Sequence, residues 1–312
     1  MIDLLINGPI KSVGISGKDA HIEKRIFPKK LIKKFDTIEN VIKITRLNKH
    51  RFNRIIWNVT DGYCSHFDKL NAKFCSNNVK LELVYRQNYK ENIIKHPDWK
   101  SNHLAENNSI KYIKNLIFLL NISKAKKIII IRSDQYINFN LINFNFDSNF
   151  IYVPRIKKSF IEAGDTYILS DRINLLNKLL FAQKNNRGLD DNIHRIFWKP
   201  YAYVYRKKFK IPLIFFKLNY PYNVGEWSKK IAQYIQSDFL RPLSFDIYRS
   251  IKWRGSKLSP KHCKDMMKNY YFQENYPKKN IHLPEMPIFK YYLIDICRFV
   301  IAILTKLIIK KN

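Results

Sequence analysis

Two lysines, four consecutive isoleucines and then Arg132-Ser133-Asp134 follow one another from Lys126. A short β-branched run without polar alternation predicts a strand buried on both faces, as in the middle of a parallel sheet. Ile2 to Ile6, running into Asn7-Gly8-Pro9, predicts a first strand. Arg54 to Val59 predicts a second, closed by the turn residues Thr60-Asp61-Gly62, and Leu81 to Tyr85 a third. Glu106 to Leu120 carries apolar residues at 110, 113, 116, 117 and 120, the spacing of a helix packed on a sheet. The central isoleucine strand follows it directly. Strands separated by crossovers predict an α/β fold with a mostly parallel, doubly wound sheet.

The second half reads less regularly. Ala20 to Phe35, earlier in the chain, mixes basic and apolar residues around Pro28 and predicts two short helices or a helix and a turn. Asn138 to Asn149 is polar and aromatic, a loop or hairpin. Phe150 to Val153 and Thr166 to Leu169 predict strands. Ser170 stands as the cap of a helix over Asp171 to Ala182, with Leu175, Leu176, Leu179 and Leu180 turned inward. Leu189 to Phe197 predicts a short helix with Asp190 and Asp191 in its first turn. Tyr201 to Tyr205 and Leu213 to Phe216 predict further strands. Beyond about residue 225 the chain turns helical and basic, over Ile231 to Phe239 and Phe245 to Ile251, with a Lys/Arg-rich loop from Lys252 to Lys264. The expected division is a nucleotide-sugar and acceptor domain over 1–225 and a basic helical region over 226–312.

Composition narrows the function. The 312 residues are long enough to bury a sizeable core, and 46% are hydrophobic, which excludes a disordered chain. Lys and Arg number 57 against 25 Asp and Glu, a net charge of +32, which implies an anionic partner. Nucleic acid is one candidate, but the basic residues are spread along the chain and no recognition motif accompanies them, so none is expected. Cys64, Cys75, Cys263 and Cys297 form no CxxC pair, and Cys64, His66 and Cys75 fit no ordinary zinc spacing. A reducing compartment follows. Lys11 to Lys18 resembles a phosphate loop but fails the Walker pattern, since Ser12 stands where the leading glycine belongs and Asp19 follows Gly17-Lys18.

Asp134, at the carboxyl end of the central strand, is the first candidate for chemistry. Ligands collect at that edge of an α/β sheet, and a carboxylate there suits Mg²⁺ or Mn²⁺ held against phosphate. Arg132 would pair with a phosphate; the alternative is that Arg132 and Asp134 pair with each other and close the strand. Asp190 or Asp191 would serve as general base for an acceptor hydroxyl, the alternative being partners of a helix dipole. Asp165 beside Gly164, and Asp61 after the second strand, read either as ligand contacts or as turn residues. Asn107 and Asn108 read as helix caps or as hydrogen-bonding partners of a sugar. His194, one turn beyond the acidic pair, has no more than a surface role on spacing alone.

Taken in order, the Asn-Gly-Pro strand end, NNSIKYIKNLI leading into IIIIRSDQYI, AGDTYILSDRINLLNKL and LDDNIHRIF resemble the WavE-type lipopolysaccharide-synthesis family of bacterial glycosyltransferases, over roughly residues 1–205. That family is similar to the GT-A sugar-nucleotide transferases. The resemblance implies that Gly8, Pro9, Asn107, Asn108, Arg132 and Asp134 bind the donor; Asp61, by its place at the end of the second strand, would reach the donor's ribose or base. Arg132-Ser133-Asp134 would be the counterpart of the DxD motif, with Asp134 on the metal. Gly164 and Asp165 would line the acceptor side, and Asp190 and Asp191 would contact the acceptor and carry catalysis. The implied activity is transfer of a sugar from a nucleotide donor to a surface polysaccharide or lipid-linked saccharide. A phosphosugar transferase on the same fold is the neighbouring alternative.

Ile288 to Ile309 is long enough to span a bilayer, but Lys290, Asp295, Arg298 and Lys306 interrupt it. On a helix those four charges share one arc of about 160°, and Phe289, Tyr292, Leu293, Ile296, Phe299, Val300, Ile303, Leu304 and Leu307 fill the other side. Such a helix lies in an anionic membrane interface or packs on the protein's own core. With no signal peptide at the N-terminus, the expected location is cytoplasmic, peripheral on the inner face of the membrane.

Overall fold

The computed structural model describes residues 2–10, 36–60, 67–76, 81–86, 93–95, 104–106, 108–158, 163–164, 167–185, 193–201, 204, 226–253, 256–277, 293, 296–297 and 300. In chain order its elements are β1 (Ile2–Gly8), α1 (Thr37–Asn48), β2 (Arg54–Val59), α2 (Phe67–Ser76), β3 (Glu82–Val84), β4 (Ile93–Lys95), β5 (Leu104–Glu106), α3 (Asn108–Ile122), β6 (Lys127–Arg132) and β7 (Gln135–Tyr136). They continue with β8 (Ile151–Val153), β9 (Ile156–Lys157), β10 (Tyr167–Asp171), α4 (Arg172–Lys184), α5 (Glu226–Phe239), β11 (Leu240–Pro242), α6 (Phe245–Ser250), β12 (Lys252–Trp253), β13 (Ser256–Lys257), α7 (Pro260–Asn269) and β14 (Tyr270–Tyr271).

The main sheet has seven strands in the order β11-β8-β10-β6-β1-β2-β3. This is the α/β, mostly parallel sheet that the strand and helix order predicts. β6 takes the middle place, and Ile128, Ile129, Ile130 and Ile131 are all buried. Alternation along the strands divides the core. Leu5, Ile128, Ile130 and Ile168 pack with Ile113, Leu116 and Leu120 of α3 and Leu175 and Leu179 of α4. Leu4, Ile6, Ile129, Ile131 and Tyr167 pack with Val41 and Ile44 of α1, Phe74 of α2 and Ile247 and Tyr248 of α6. A strand covered on both faces has no polar alternation, which is why the isoleucine run is continuous.

β6 is parallel to β1 but antiparallel to β10, so only one side of the central strand has the expected direction. The antiparallel neighbour brings the chain back across the sheet, and Asp171 ends β10 at the edge where β6 begins, opposite Lys127. There Asp171, rather than Ser170, caps α4: its carboxylate accepts from the backbone N–H groups of Ile173 and Asn174 at 2.9 and 3.1 Å. Ser170 is buried in the strand, and its hydroxyl donates to the Asp171 carbonyl. The face turned to the sheet is narrower than expected: Leu175 and Leu179, one turn apart, are buried, whereas Leu180, 100° on from Leu179, is 44% exposed.

Two further expectations change. Residues 199–201 and 204 are helical, so Tyr201 and Val204 are not in the strand expected over Tyr201 to Tyr205, whose other residues lie outside the described ones. Tyr201 instead stacks on Phe181 of α4 at 4.5 Å and lies 5.3 Å from Phe239 of α5, a helix-to-helix contact. The stretch Lys252 to Lys264, expected as loop, contains β12, β13 and the start of α7. Its strand β12 pairs with β7, immediately after Asp134. The sequence reading also passed over α1 and the β4–β5 hairpin. Ala20 to Phe35 and Leu213 to Phe216 lie outside the described residues.

The region beyond 225 adds an edge to the sheet. Leu240–Pro242 pairs with Ile151–Val153 in parallel register. Lys290, Asp295, Arg298 and Lys306 lie outside the described residues, and within the terminal segment Leu293, Ile296 and Val300 are helical and exposed. Among the described residues no helix is long and apolar enough to cross a membrane.

Candidate functional site

β1, β2 and β6 are adjacent and parallel, so their carboxyl ends meet at one edge. Asn7 is in register with Arg132 on one side and with Asn58 on the other. A cavity of about 280 Å³ opens at this edge, lined by Asn7, Gly8 and Pro9 from β1, Thr60 after β2, and Arg132 and Asp134 after β6. Lys111, Tyr112 and Asn115 of α3 form a second wall, and Ile193 closes it. α3 leads directly into β6 and so runs against it, which brings the helix's early turns to the strand's carboxyl end. At its other end, the carbonyls of Leu120 and Ile122 accept from Arg172 and Arg54. Those guanidinium groups satisfy a helix C-terminus that would otherwise leave carbonyls unpaired.

Close backbone packing shapes the floor. Gly8 has φ +157°, and a Cβ built on it would stand 2.1 Å from the Ser133 hydroxyl oxygen. The Gly8 carbonyl accepts from Trp57 Nε1 at 3.1 Å and from the Thr60 backbone at 3.2 Å. Ser133 donates from its backbone to the Asn7 carbonyl at 3.2 Å and from its hydroxyl to the Pro9 carbonyl at 3.2 Å. Asn40 of α1 donates to the carbonyls of Ser133 and Gln135 at 2.8 and 3.0 Å, fixing the loop after β6. Asn58 is fully buried and donates to the Asn7 side-chain oxygen at 3.0 Å.

Arg132 and Asp134 pair bidentately. Arg132 Nε donates to Asp134 Oδ1, and an Nη to Oδ2, each at 3.0 Å. The Asp134 side chain is 4% exposed and that of Arg132 30%, so the acid sits beneath the guanidinium. This is the strand-end ion pair, and it bears on a metal. A hard divalent cation needs several oxygen ligands, one or two of them carboxylates and the rest waters or substrate oxygens. Asp134 offers one carboxylate, and both its oxygens already accept from a cation. Among the described residues no group of three His, Cys, Asp or Glu lies together in a way that would hold a metal ion. Among the described lining residues the Mn²⁺ or Mg²⁺ expected at Asp134 would find one carboxylate, and that one is already shared with Arg132.

Of the residues singled out from the sequence, Gly8, Pro9, Arg132 and Asp134 come together at this cavity. Asn108 opens α3, and Asn107, Asp61, Asp165, Asp190 and Asp191 lie outside the described residues. Gly164 does not line the cavity; a Cβ on it would meet Pro154 Cγ at 2.7 Å, so the glycine serves a close approach of chain to chain. Its neighbour Ala163 donates from its backbone to the His194 carbonyl at 3.1 Å, which ties this segment to the wall residue Ile193. The sequence reading missed Lys111, Tyr112, Asn115, Thr60 and Asn40. The apolar stripe of α3 was visible and implied an opposite polar face, but not that its first turns would flank a cavity.

On the other face of the sheet a second polar cluster joins three elements. Arg155 donates to the Tyr248 hydroxyl at 2.9 Å, and that hydroxyl lies 3.3 Å from His262 Nε2. Burial pushes the Tyr248 phenol up, with Arg155 pulling the other way. Burial and then the Arg155 charge push the His262 imidazole down, against the pull of Asp265. Tyr167, fully buried nearby, is pushed well up by burial.

No family model matches the chain, and no curated protein matches it. Solved structures do. One is a protein of Bacillus anthracis named as a glucose-1-phosphate thymidylyltransferase, 10% identical, with 90% of this chain and 99% of that chain covered at a TM-score of 0.36. Another is the inositol-1-phosphate CTP transferase from T. maritima, 9% identical, covering 64% and 81% at 0.37. A third is the glycosyltransferase GlyE of Streptococcus pneumoniae TIGR4, 11% identical, covering 72% and 53% at 0.31. Likenesses of this size leave the site itself to carry the function.

Proposed function

We infer that this protein is a transferase acting on a nucleotide-linked sugar, and that it moves the sugar to a saccharide or lipid-linked saccharide acceptor at a membrane surface. The observation that carries the reading is the cavity at the joined carboxyl ends of β1, β2 and β6, with Arg132 and Lys111 on its walls. Open α/β sheets bind nucleotides outside the carboxyl ends of their strands. Two cations in a concave site suit a diphosphate, since fixed positive groups stabilise charge that builds on a leaving nucleoside diphosphate. Tyr112 and Asn115 line the same cavity as Asn7, Gly8 and Pro9 and are the groups that a base or ribose would meet there. The resemblance to the WavE-type glycosyltransferases supports the sugar-transfer side of the reading, with Asp190 or Asp191 as the base for the acceptor.

A thermal-shift screen against nucleoside diphosphates and nucleotide sugars tests the reading, since a ligand that binds only the folded state raises the midpoint. A rise with nucleotides, followed by release of nucleoside diphosphate in the presence of a saccharide acceptor, is expected. A phosphosugar transferase on the same site would release pyrophosphate from a nucleoside triphosphate instead. No shift with any nucleotide would remove both.

A further inference from the structure

We propose that the anionic group of the ligand is gripped here by Arg132 and Lys111 without a divalent cation, and that Asp134 is a positioning residue for Arg132 rather than a metal ligand. The proposal rests on the reading of the cavity as the place of a nucleotide diphosphate. It makes use of a disagreement: the sequence pattern asks for a metal at Asp134, while the geometry gives both carboxylate oxygens to a guanidinium.

Three observations converge. The first is the bidentate contact, which holds the guanidinium in one plane and one orientation. The second is burial. Asp134 lies beneath, 4% exposed at its side chain, and Arg132 is 30% exposed at the rim of the cavity it lines. A ligand entering the cavity meets the guanidinium before the acid. The third is the company. Lys111 of α3 lines the same cavity, and Asp134 is the one carboxylate among the described lining residues. Its charge is offset by the arginine, which leaves the described lining net positive. A dication placed on Asp134 would have to displace Arg132 or sit beside it, and like charges sharing one carboxylate oppose one another. A phosphate oxygen meets no such opposition.

The loop geometry supports a fixed clamp. Asn40 holds the carbonyls of Ser133 and Gln135, on either side of Asp134, and Ser133 is tied to Asn7 and Pro9. The residues flanking the acid are thus held by the Asn40 side chain of α1 and by the end of β1, and the acid in turn sets the arginine.

The test is calorimetric titration of UDP, GDP, CDP and inorganic pyrophosphate into the full chain, once in EDTA and once with excess Mn²⁺ or Mg²⁺. Binding of one of these in EDTA, altered less than about twofold by either metal, is expected. Arg132→Ala and Lys111→Ala should each weaken it about tenfold or more. Asp134→Asn should weaken it to a similar degree as Arg132→Ala, equally in EDTA and in metal. The double variant at 132 and 134 should lose little beyond Arg132→Ala alone, as residues acting through one another do, whereas adding Lys111→Ala should deepen the loss. Lys111→Ala sits on a helix surface and keeps the test valid should a variant at the pair fail to fold. Binding that appears only with Mn²⁺ or Mg²⁺, or an Asp134→Asn loss confined to the metal arm, would overturn the clamp while leaving the nucleotide reading in place. Pyrophosphate bound through Arg132 in EDTA with no nucleoside diphosphate binding would keep the clamp and remove the nucleotide reading. Absence of binding by all probes in both arms would remove both.

Discussion

A Cβ on Gly8 would stand 2.1 Å from the Ser133 hydroxyl oxygen, so any side chain where the ends of β1 and β6 meet would force Ser133 to shift. With φ at +157°, Gly8 also holds a backbone conformation that side chains disfavour. Gly8→Ala is expected to destabilise the fold by about 1–3 kcal/mol, the usual effect of strain and overpacking at such a site. Urea unfolding checks it, and a variant as stable as the natural chain would show that the two strand ends can move apart.

Asp3 is an acid at the opposite end of the same strand, with an opposite role. It is fully buried and accepts from the Ser123 hydroxyl at 2.7 Å and from Asn53 at 3.4 Å. Asp3→Ala leaves those donors without their acceptor and should lower stability by about 1–3 kcal/mol. Affinity for whatever nucleotide the natural chain binds should stay within about twofold, because the change lies at the amino edge of the sheet. Paired unfolding and titration experiments separate the two effects.

His262 makes the fold acid-sensitive. Arg155 donates to the Tyr248 hydroxyl, which leaves that O–H free to donate to His262 Nε2, and only a neutral imidazole accepts there. Burial and the Arg155 charge push the imidazole below its ordinary value, so below about pH 6.5 the unfolded chain binds a proton the folded chain resists. The contribution is present above that pH and is lost as pH falls toward the lowered folded value. Urea midpoints taken at pH 7.5 and 5.5 should therefore differ, with the lower at pH 5.5, and His262→Gln should narrow the difference. An unchanged gap in the variant would assign the acid sensitivity elsewhere.

Leu293, Ile296 and Val300 follow helical spacing and are 53, 51 and 47% exposed. The full chain is expected to float with anionic liposomes and to be partly released by high salt, as a basic interfacial helix would be. A chain ending near Pro287 should stay folded and lose most of that binding. Unfolding or aggregation of the shortened chain would mean that the segment belongs to the core.

The sheet centre was legible because burial on both faces leaves a simple trace. Ile128 to Ile131 and Arg54 to Val59 are runs that few other structures accommodate. The strand ends were legible too, since Gly8-Pro9 and Arg132-Ser133-Asp134 bound those runs, and parallel neighbours bring their ends together. Direction was not. Nothing local in Tyr167–Asp171 distinguishes an antiparallel strand from a parallel one, and the cap was misplaced by one residue because Ser170 and Asp171 are both favoured capping residues. Tyr201 to Tyr205 alternates like a strand, yet Tyr201 is claimed by Phe181 and Phe239 on two helices. α1 left a readable trace, with Asp36 accepting from Glu39 and Val41, Ile42 and Ile44 buried on one face. The lining side chains from α3 were beyond reach, because which way a helix turns its polar face depends on how it crosses the sheet.

The pairing of Leu240–Pro242 with Ile151–Val153 has a consequence for synthesis. While the ribosome is still adding the residues between them, β8 is an uncovered margin, with backbone donors and acceptors that any passing strand can take. The nascent chain is most prone to self-association in that interval, and chaperone demand should peak there and fall once β11 has emerged.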